Sequence, residues 1–315
     1  MVIVAEERAV DYALTARLAT AAFADETVQF SPDRIRWLYE TSFGLGTTVL
    51  AAFEDGQKIG QIALIGQTLC VAGEAHRAVQ LVDLFVMQAY RSAGLVRKLY
   101  REVERVCAAR GIRYILALPN DKSVLLNARF LKLSASTELP VRAGLSLLPP
   151  RTRLACSARL RSLSREAAIA LFEAFACQST ENGVHYDGES LFSRLDDPTR
   201  DYAVHATDKL LLISTSRNRK NLNHTLLCGF FTRKQARPGT NDVDDLVRAA
   251  CSFWKAPLFV YAGVNDSLPK LPGLRLPARL KRPILVQLRD MTAGLASDAG
   301  VARFARFQLL DSDFA

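Results

Sequence analysis

The chain has 315 residues, 49% hydrophobic and 23% charged, with a formal net charge of +9 and a pI near 9.4. That is an ordinary globular balance and a length for about two domains; no apolar run approaches the roughly 18 residues that span a bilayer, and an N-terminus bearing Glu6, Glu7 and Asp11 does not read as a secretory signal. The expectation is a soluble, cytoplasmic protein without membrane insertion, whose positive charge favours anionic partners without choosing among them.

In chain order, Ala13 to Phe23 is predicted as an amphipathic helix, and Pro32 to Tyr39 as a short one with Ser31 at its cap and proline next. Thr47 to Phe53 reads as a strand, Glu54-Asp-Gly56-Gln as a hairpin turn, and Lys58 to Cys70 and Arg77 to Met87 as strands flanking the turn-like Ala72-Gly-Glu-Ala75. A loop of small and basic residues follows. Beyond it, Val96, Leu99, Tyr100, Val103, Val106 and Cys107 take the spacing of one helical face, and Gly111 stands where a left-handed cap is expected. Pro140 to Pro150 holds two proline sites and a glycine, as for a last strand running into a linker, which puts a domain boundary near residue 150. Strands first, then helix, strand and helix, predict an α/β (α+β) mixed sheet with helices on its faces.

The order then repeats over residues 151 to 315. Ser164 to Ala176 is an amphipathic helix, Lys209 to Ser214 and Thr225 to Thr232 pair as a hairpin, and Asp242 to Trp254 is a helix before the strand Leu258 to Ala262. The densest basic group, Arg217-Asn-Arg219-Lys220, lies at the hairpin tip and reads as a solvated loop rather than a nucleic-acid contact. Cys70, Cys107, Cys156, Cys177, Cys228 and Cys251 are widely separated and read as reduced, mostly buried thiols. His76, His185, His205 and His224 make no metal-ligand pattern, so no metal is expected.

The loop between the strand ending at Met87 and the next helix carries the chemistry. Unpaired N–H groups at a helix start, with Ala93 and Gly94 allowing close approach, suit a phosphate or pyrophosphate. Arg91, Arg97 and Lys98 lie where the helix end disfavours cations, a conflict that an anion would relieve. The same cluster also reads as a solvated basic face.

Arg91-Ser-Ala-Gly94-Leu-Val96 resembles the acyl-CoA loop Arg/Gln-x-x-Gly-x-Gly/Ala of the GCN5-related N-acetyltransferase (GNAT) superfamily, matching at Arg91 and Gly94 and departing at Val96. Downstream, Tyr114-Ile-Leu-Ala-Leu-Pro-Asn120 is similar to that family's fifth strand, and Ser123 to Leu133 to the helix after it. The resemblance covers roughly residues 1 to 150. It implies a tandem arrangement: an acyl-CoA-binding GNAT domain over 1–150, and a degenerate GNAT-like copy over 151–315, whose loop Arg237-Pro-Gly-Thr-Asn-Asp lacks the motif, completing the acceptor cleft. The tail Arg303 to Asp313 resembles a terminal strand of one branch of the family.

The resemblance further implies acetyl-CoA or another acyl-CoA as donor, with main-chain groups of Phe85, Val86 and Met87 holding the pantetheine arm. Those of Arg91, Ser92, Ala93, Gly94, Leu95 and Val96 would grip the pyrophosphate. Asn120 matches a pantetheine-contacting position and equally suits the cap of the following helix. Asp83, in an otherwise apolar strand, is a candidate general base, or instead bonds Arg77 or another polar group, or simply faces the cleft. Tyr90 reads as a packed aromatic or a polar contributor, and Ser123 and Asn127 as polar neighbours. Phe130 stands where many relatives carry a tyrosine that protonates the leaving thiolate. The expected activity is acyl transfer to a small amine or amino-sugar acceptor. Alternatives are aminoacyl transfer from tRNA, as in peptidoglycan-bridge enzymes, and a catalytically silent acyl-CoA sensor.

Overall fold

The computed structural model describes residues 1–23, 30–152, 154–176, 181–219, 221–292 and 302–313. Its first half contains β1 (Ile3–Glu6), α1 (Tyr12–Phe23), α2 (Pro32–Glu40), β2 (Thr47–Glu54), β3 (Gln57–Val71), β4 (Glu74–Val86), α3 (Ala93–Ala109), β5 (Tyr114–Ala117), α4 (Asp121–Leu131), β6 (Ser134–Leu139) and β7 (Val141–Leu145), the predicted order with β1 and β6 added to it. Strands β1 to β4 are antiparallel neighbours, and β5 lies parallel to β4 with Ala78 to Leu81 opposite Tyr114 to Ala117. Beyond Leu81, β4 keeps β3 on one side and loses β5 on the other. The sheet splays open there.

The second half contains β8 (Cys156–Arg159), α5 (Arg165–Glu173), β9 (Gly183–Val184), α6 (Gly188–Leu195), β10 (Tyr202–Ala206), β11 (Leu210–Arg219), β12 (Leu222–Thr232), α7 (Thr240–Trp254), β13 (Leu258–Asn265), β14 (Leu274–Arg275), β15 (Ile284–Asp290) and β16 (Arg306–Gln308). Here β8, β10, β11 and β12 are antiparallel neighbours, and β13 lies parallel to β12 after the crossover helix α7. The first sheet is thus rebuilt element by element.

The halves exchange strands. From before residue 150, β7 pairs antiparallel with β13; from after it, β15 enters the first sheet between β5 and β6. Strands β9 and β16 join the two sheets into one. Separating the halves would therefore break main-chain pairing as well as side-chain packing.

Helix α3 shows how the sequence builds the layers. Leu95, Leu99, Tyr100, Val103, Val106 and Cys107 are its buried residues, while Val96, expected on that face, is half-buried with Leu95 in its place. They pack on Leu50, Ile62, Leu64, Val79 and Leu81 of β2 to β4, burial worth roughly 1.5–3 kcal/mol per large side chain. Ser92 caps the helix by accepting from the Leu95 N–H, and Gly111 follows its end at φ +63°, as a left-handed cap requires. On the opposite face of the sheet, Val49, Ala63, Ile65 and Val82 pack toward α2 and the second half. Among the described residues no helix is long and apolar enough to cross a membrane. Cys70, Cys107, Cys228 and Cys251 are buried free thiols and Cys156 is half-buried; Cys177 and Lys220 lie outside the described residues.

Candidate active site

Where β4 leaves β5, it also carries a bulge. The pairing with β3 shifts register between Gln61 and Ala63, and Asp83 sits in the shift at φ +50°. A non-glycine residue in that region is uncommon and stores strain that its surroundings must hold. Asp83 is held by Tyr39 of α2, whose hydroxyl donates to Asp83 Oδ2 at 2.7 Å and accepts from Gln61 Nε2 at 2.8 Å. Arg77, a sequence-level partner for Asp83, instead donates to the Arg110 carbonyl.

Asp83 lines a cavity of about 70 Å³ with Phe30, Ser31, Arg34, Ile35, Leu38 and Asp313. Burial pushes its carboxyl up to about 6; the Tyr39 hydrogen bond opposes the rise, Asp313 adds to it and Arg34 opposes it. Burial also raises Asp313, against the lowering effect of Arg34. Burial, with Asp83 adjacent, holds the Tyr39 phenol well above its usual value, so it remains a hydrogen-bond donor.

Asp313 arrives from the far end of the chain because the segment before it is clamped. Arg194 of α6, fully buried, donates through Nε to the Leu310 carbonyl at 2.9 Å and through Nη2 to the Ser312 carbonyl at 2.5 Å. Its guanidinium lies 5.2 Å from the Trp37 ring centroid and 5.1 Å from that of Phe43. Arg34 Nη2 donates to the Asp313 carbonyl at 2.7 Å, and Gln80 Nε2 to Asp313 Oδ1 at 3.2 Å. Gln67, bonded to Gln80 at 2.8 Å, also lines a second cavity of about 300 Å³ between the halves, with Thr68, His185, Tyr186, Asp187 and Ser193.

At the open edge, Met87 N donates to Ile59 O at 2.8 Å, so by the alternation of an antiparallel ladder Phe85 also faces β3 and Val86 faces the splay. Of the three residues expected to hold a pantetheine arm, Val86 thus has the suitable main-chain direction. Arg91 N donates to Gln88 O, Leu95 N to Ser92 Oγ and Val96 N to Ser92 O, which leaves Ser92, Ala93 and Gly94 with N–H groups that have no acceptor among the described residues. The Arg91 side chain turns back, donating to Val86 O at 3.1 Å and to the Ala22 carbonyl, and so ties α1 to the end of β4.

Gly94 has no fold-based need to be glycine. A Cβ built there meets only Ser92 Oγ, at 3.9 Å, and the residue is exposed. A glycine at this spot leaves the main chain open to close approach. No acidic residue lies in the first turn of α3, and Arg97 and Lys98 are exposed there. The corner is open.

Asn120 Oδ1 caps α4, accepting from Lys122 N at 3.1 Å, Ser123 N at 3.0 Å and Ser123 Oγ at 3.1 Å. Asn127 joins Tyr100 to Gln287 of the exchanged strand β15. Tyr90 packs half-buried against the α3 layer, and Phe130 packs against Tyr100 with centroids 6.1 Å apart. Tyr39, Gln61, Arg34 and Asp313 escape sequence reasoning. The signal that could have found part of the set is the run of amides Gln61, Gln67 and Gln80 in otherwise apolar strands, all fully buried.

In the second half the equivalent splay is closed. Gln308 of β16 lies against β12, its Oε1 accepting from Phe230 N at 2.8 Å and its Nε2 donating to Phe230 O at 3.1 Å, so one side chain occupies both main-chain groups. The start of α7 is closed by an internal carboxylate, Asp242 Oδ2, accepting from Gly239 N at 2.6 Å. What the first copy leaves open, the second fills from within.

Residues 13–131 match the model of the Acetyltransferase (GNAT) family. No curated protein matches the sequence. Among solved structures, the chain is similar to a GCN5-related N-acetyltransferase from Anabaena variabilis (10% identity, TM-score 0.61, covering 92% of this chain and 73% of that one). It is similar also to Saccharomyces cerevisiae N-myristoyltransferase with bound myristoyl-CoA (15% identity, TM-score 0.60, 92% and 79%). A tandem GNAT protein from the clavulanic acid biosynthesis pathway aligns over 93% of this chain and all of its own (11% identity, TM-score 0.57). At these identities the likeness establishes a GNAT-like fold over most of the chain.

Proposed function

Since residues 13–131 match the model of the acetyltransferase (GNAT) family, we propose that this chain transfers an acyl group, acetyl in the simplest case, from acyl-CoA directly to a small amine. In this reading residues 1–150 bind the donor and 151–315 shape the acceptor cleft. The supporting observation is a juxtaposition. The free N–H groups of Ser92, Ala93 and Gly94, the open edge of β4 at Val86 and the Asp83 carboxyl lie along one continuous piece of chain.

The diphosphate rests on the amides at the start of α3, with Arg97 and Lys98 adding positive charge. The pantetheine arm runs along β4 at Val86, displacing Arg91 from its carbonyl. Asp83, held by Tyr39, takes the proton from the attacking amine as the N–C bond forms and the C–S bond breaks. With Phe130 packed on Tyr100, the departing thiolate takes its proton from water. The free thiols suit a reducing compartment, so we place the protein in the cytoplasm.

The test is release of CoA thiol from acetyl-CoA and longer acyl-CoAs across a panel of primary amines. Amine-dependent release with a matching acylated product is expected. Donor binding without release under every amine would favour a sensor, and retention of charged tRNA without CoA binding would favour the aminoacyl-transfer alternative.

A further inference from the structure

The geometry points to a second anion site, in the C-terminal copy, that takes a phosphate-bearing small molecule of up to nucleotide size. A cavity of about 550 Å³ lies where β12 runs into the loop before α7, walled on the other side by the residues that follow β13. This is the topological counterpart of the Gly94 corner, and its volume falls within the range of small-ligand sites. Three loop cations, Arg233, Lys234 and Arg237, line it together with Arg306 of β16, against the two carboxylates Glu181 and Asp266.

Arg306 adds a fixed positive charge to this lining. It is only 4% exposed, and its Nε has no hydrogen-bond partner among the described residues. The side chain is fixed by a 3.0 Å bond from Nη2 to the Val184 carbonyl and by the Phe231 ring 5.0 Å away. Its charge lowers the buried Asp311 carboxyl on the interior side and adds to the positive potential that the three loop cations give the cavity. The ligand would not sit on the end of α7, because Asp242 already occupies the Gly239 N–H and faces Lys209 at 3.7 Å. It would lie over the loop cations and Arg306 instead. The site therefore differs from a degraded copy of the donor cradle, and the inference does not depend on catalysis.

Calorimetric titration of ADP and of pyrophosphate into the full chain carrying Gly94→Val, which removes binding at the first corner, tests it, with and without the exposed double substitution Lys234→Glu/Arg237→Glu. Saturable binding to Gly94→Val is expected that weakens at least about tenfold when the double substitution is added and weakens with added salt. The double variant without Gly94→Val should keep acetyl-CoA binding, so loss of this site is distinguishable from failure of the donor proposal. Two results overturn the inference: no binding of either probe to Gly94→Val at millimolar concentration, or equal affinity with and without the double substitution.

Discussion

Replacing Asp83 with asparagine should slow acyl transfer by about 10²–10⁴-fold, the usual contribution of a positioned general base, while acyl-CoA affinity stays near that of the wild type. Asparagine preserves the shape at the bulge and can still accept from Tyr39, so binding and fold are retained while the proton acceptor is lost. The pH profile gives the second readout. With its carboxyl pushed up to about 6, Asp83 carries a proton below that pH and cannot accept another, so kcat/KM calculated on the unprotonated amine should climb through pH 6 and level off above it. In Asp83→Asn that limb should vanish. An unchanged rate, or an unchanged limb, would remove Asp83 from the mechanism.

Arg194→Ala should cost about 3–5 kcal/mol of stability, the size expected from a large side chain removed from a packed interior together with two buried carbonyls left without a donor. The substitution strips the Leu310 and Ser312 carbonyls of their donor and leaves Trp37 and Phe43 facing a void. It also removes positive charge that lowers the buried Asp311 and Asp313 carboxyls. Urea unfolding followed by the fluorescence of Trp37 and Trp254 measures the loss; a change below about 1 kcal/mol, the size of an ordinary exposed ion pair, would show that the segment is not held by this clamp. Because the same segment brings Asp313 to Asp83, a folded Arg194→Lys protein should lose transfer rate more than donor affinity.

Much of the first sheet was legible because its signals are local. Helical spacing from Leu99 to Cys107, the glycine at 111 and the turn at Asp55 and Gly56 each report on a few adjacent residues, and the structure keeps all three. In the second half α5, the β11–β12 hairpin, α7 and β13 were legible for the same reason, while β8, β9, α6, β10, β14 and β15 were not. The strand exchange was not: β7 and β15 look alike as short alternating strands, and nothing local tells such a strand which of two similar sheets to join. The carboxyl cavity was missed for a related reason. Its members come from α2, β3, β4 and the last residues described, joined only by tertiary packing. Asp83 itself stood out as a charge in an apolar strand, but its left-handed backbone is set by the register shift against β3 and leaves no mark in the surrounding sequence.

The central claim is that the corner at Gly94 binds the diphosphate of an acyl-CoA, and titrating acetyl-CoA into wild-type and Gly94→Val protein by calorimetry tests it most directly. An added side chain there meets open space, so Gly94→Val should melt at a temperature close to that of the wild type without ligand. Saturable wild-type binding is predicted, with affinity reduced at least about tenfold in the variant, a difference of about 1.4 kcal/mol. Equal affinity in the two proteins, or no heat from acetyl-CoA and longer acyl-CoAs with the wild type, would contradict the account.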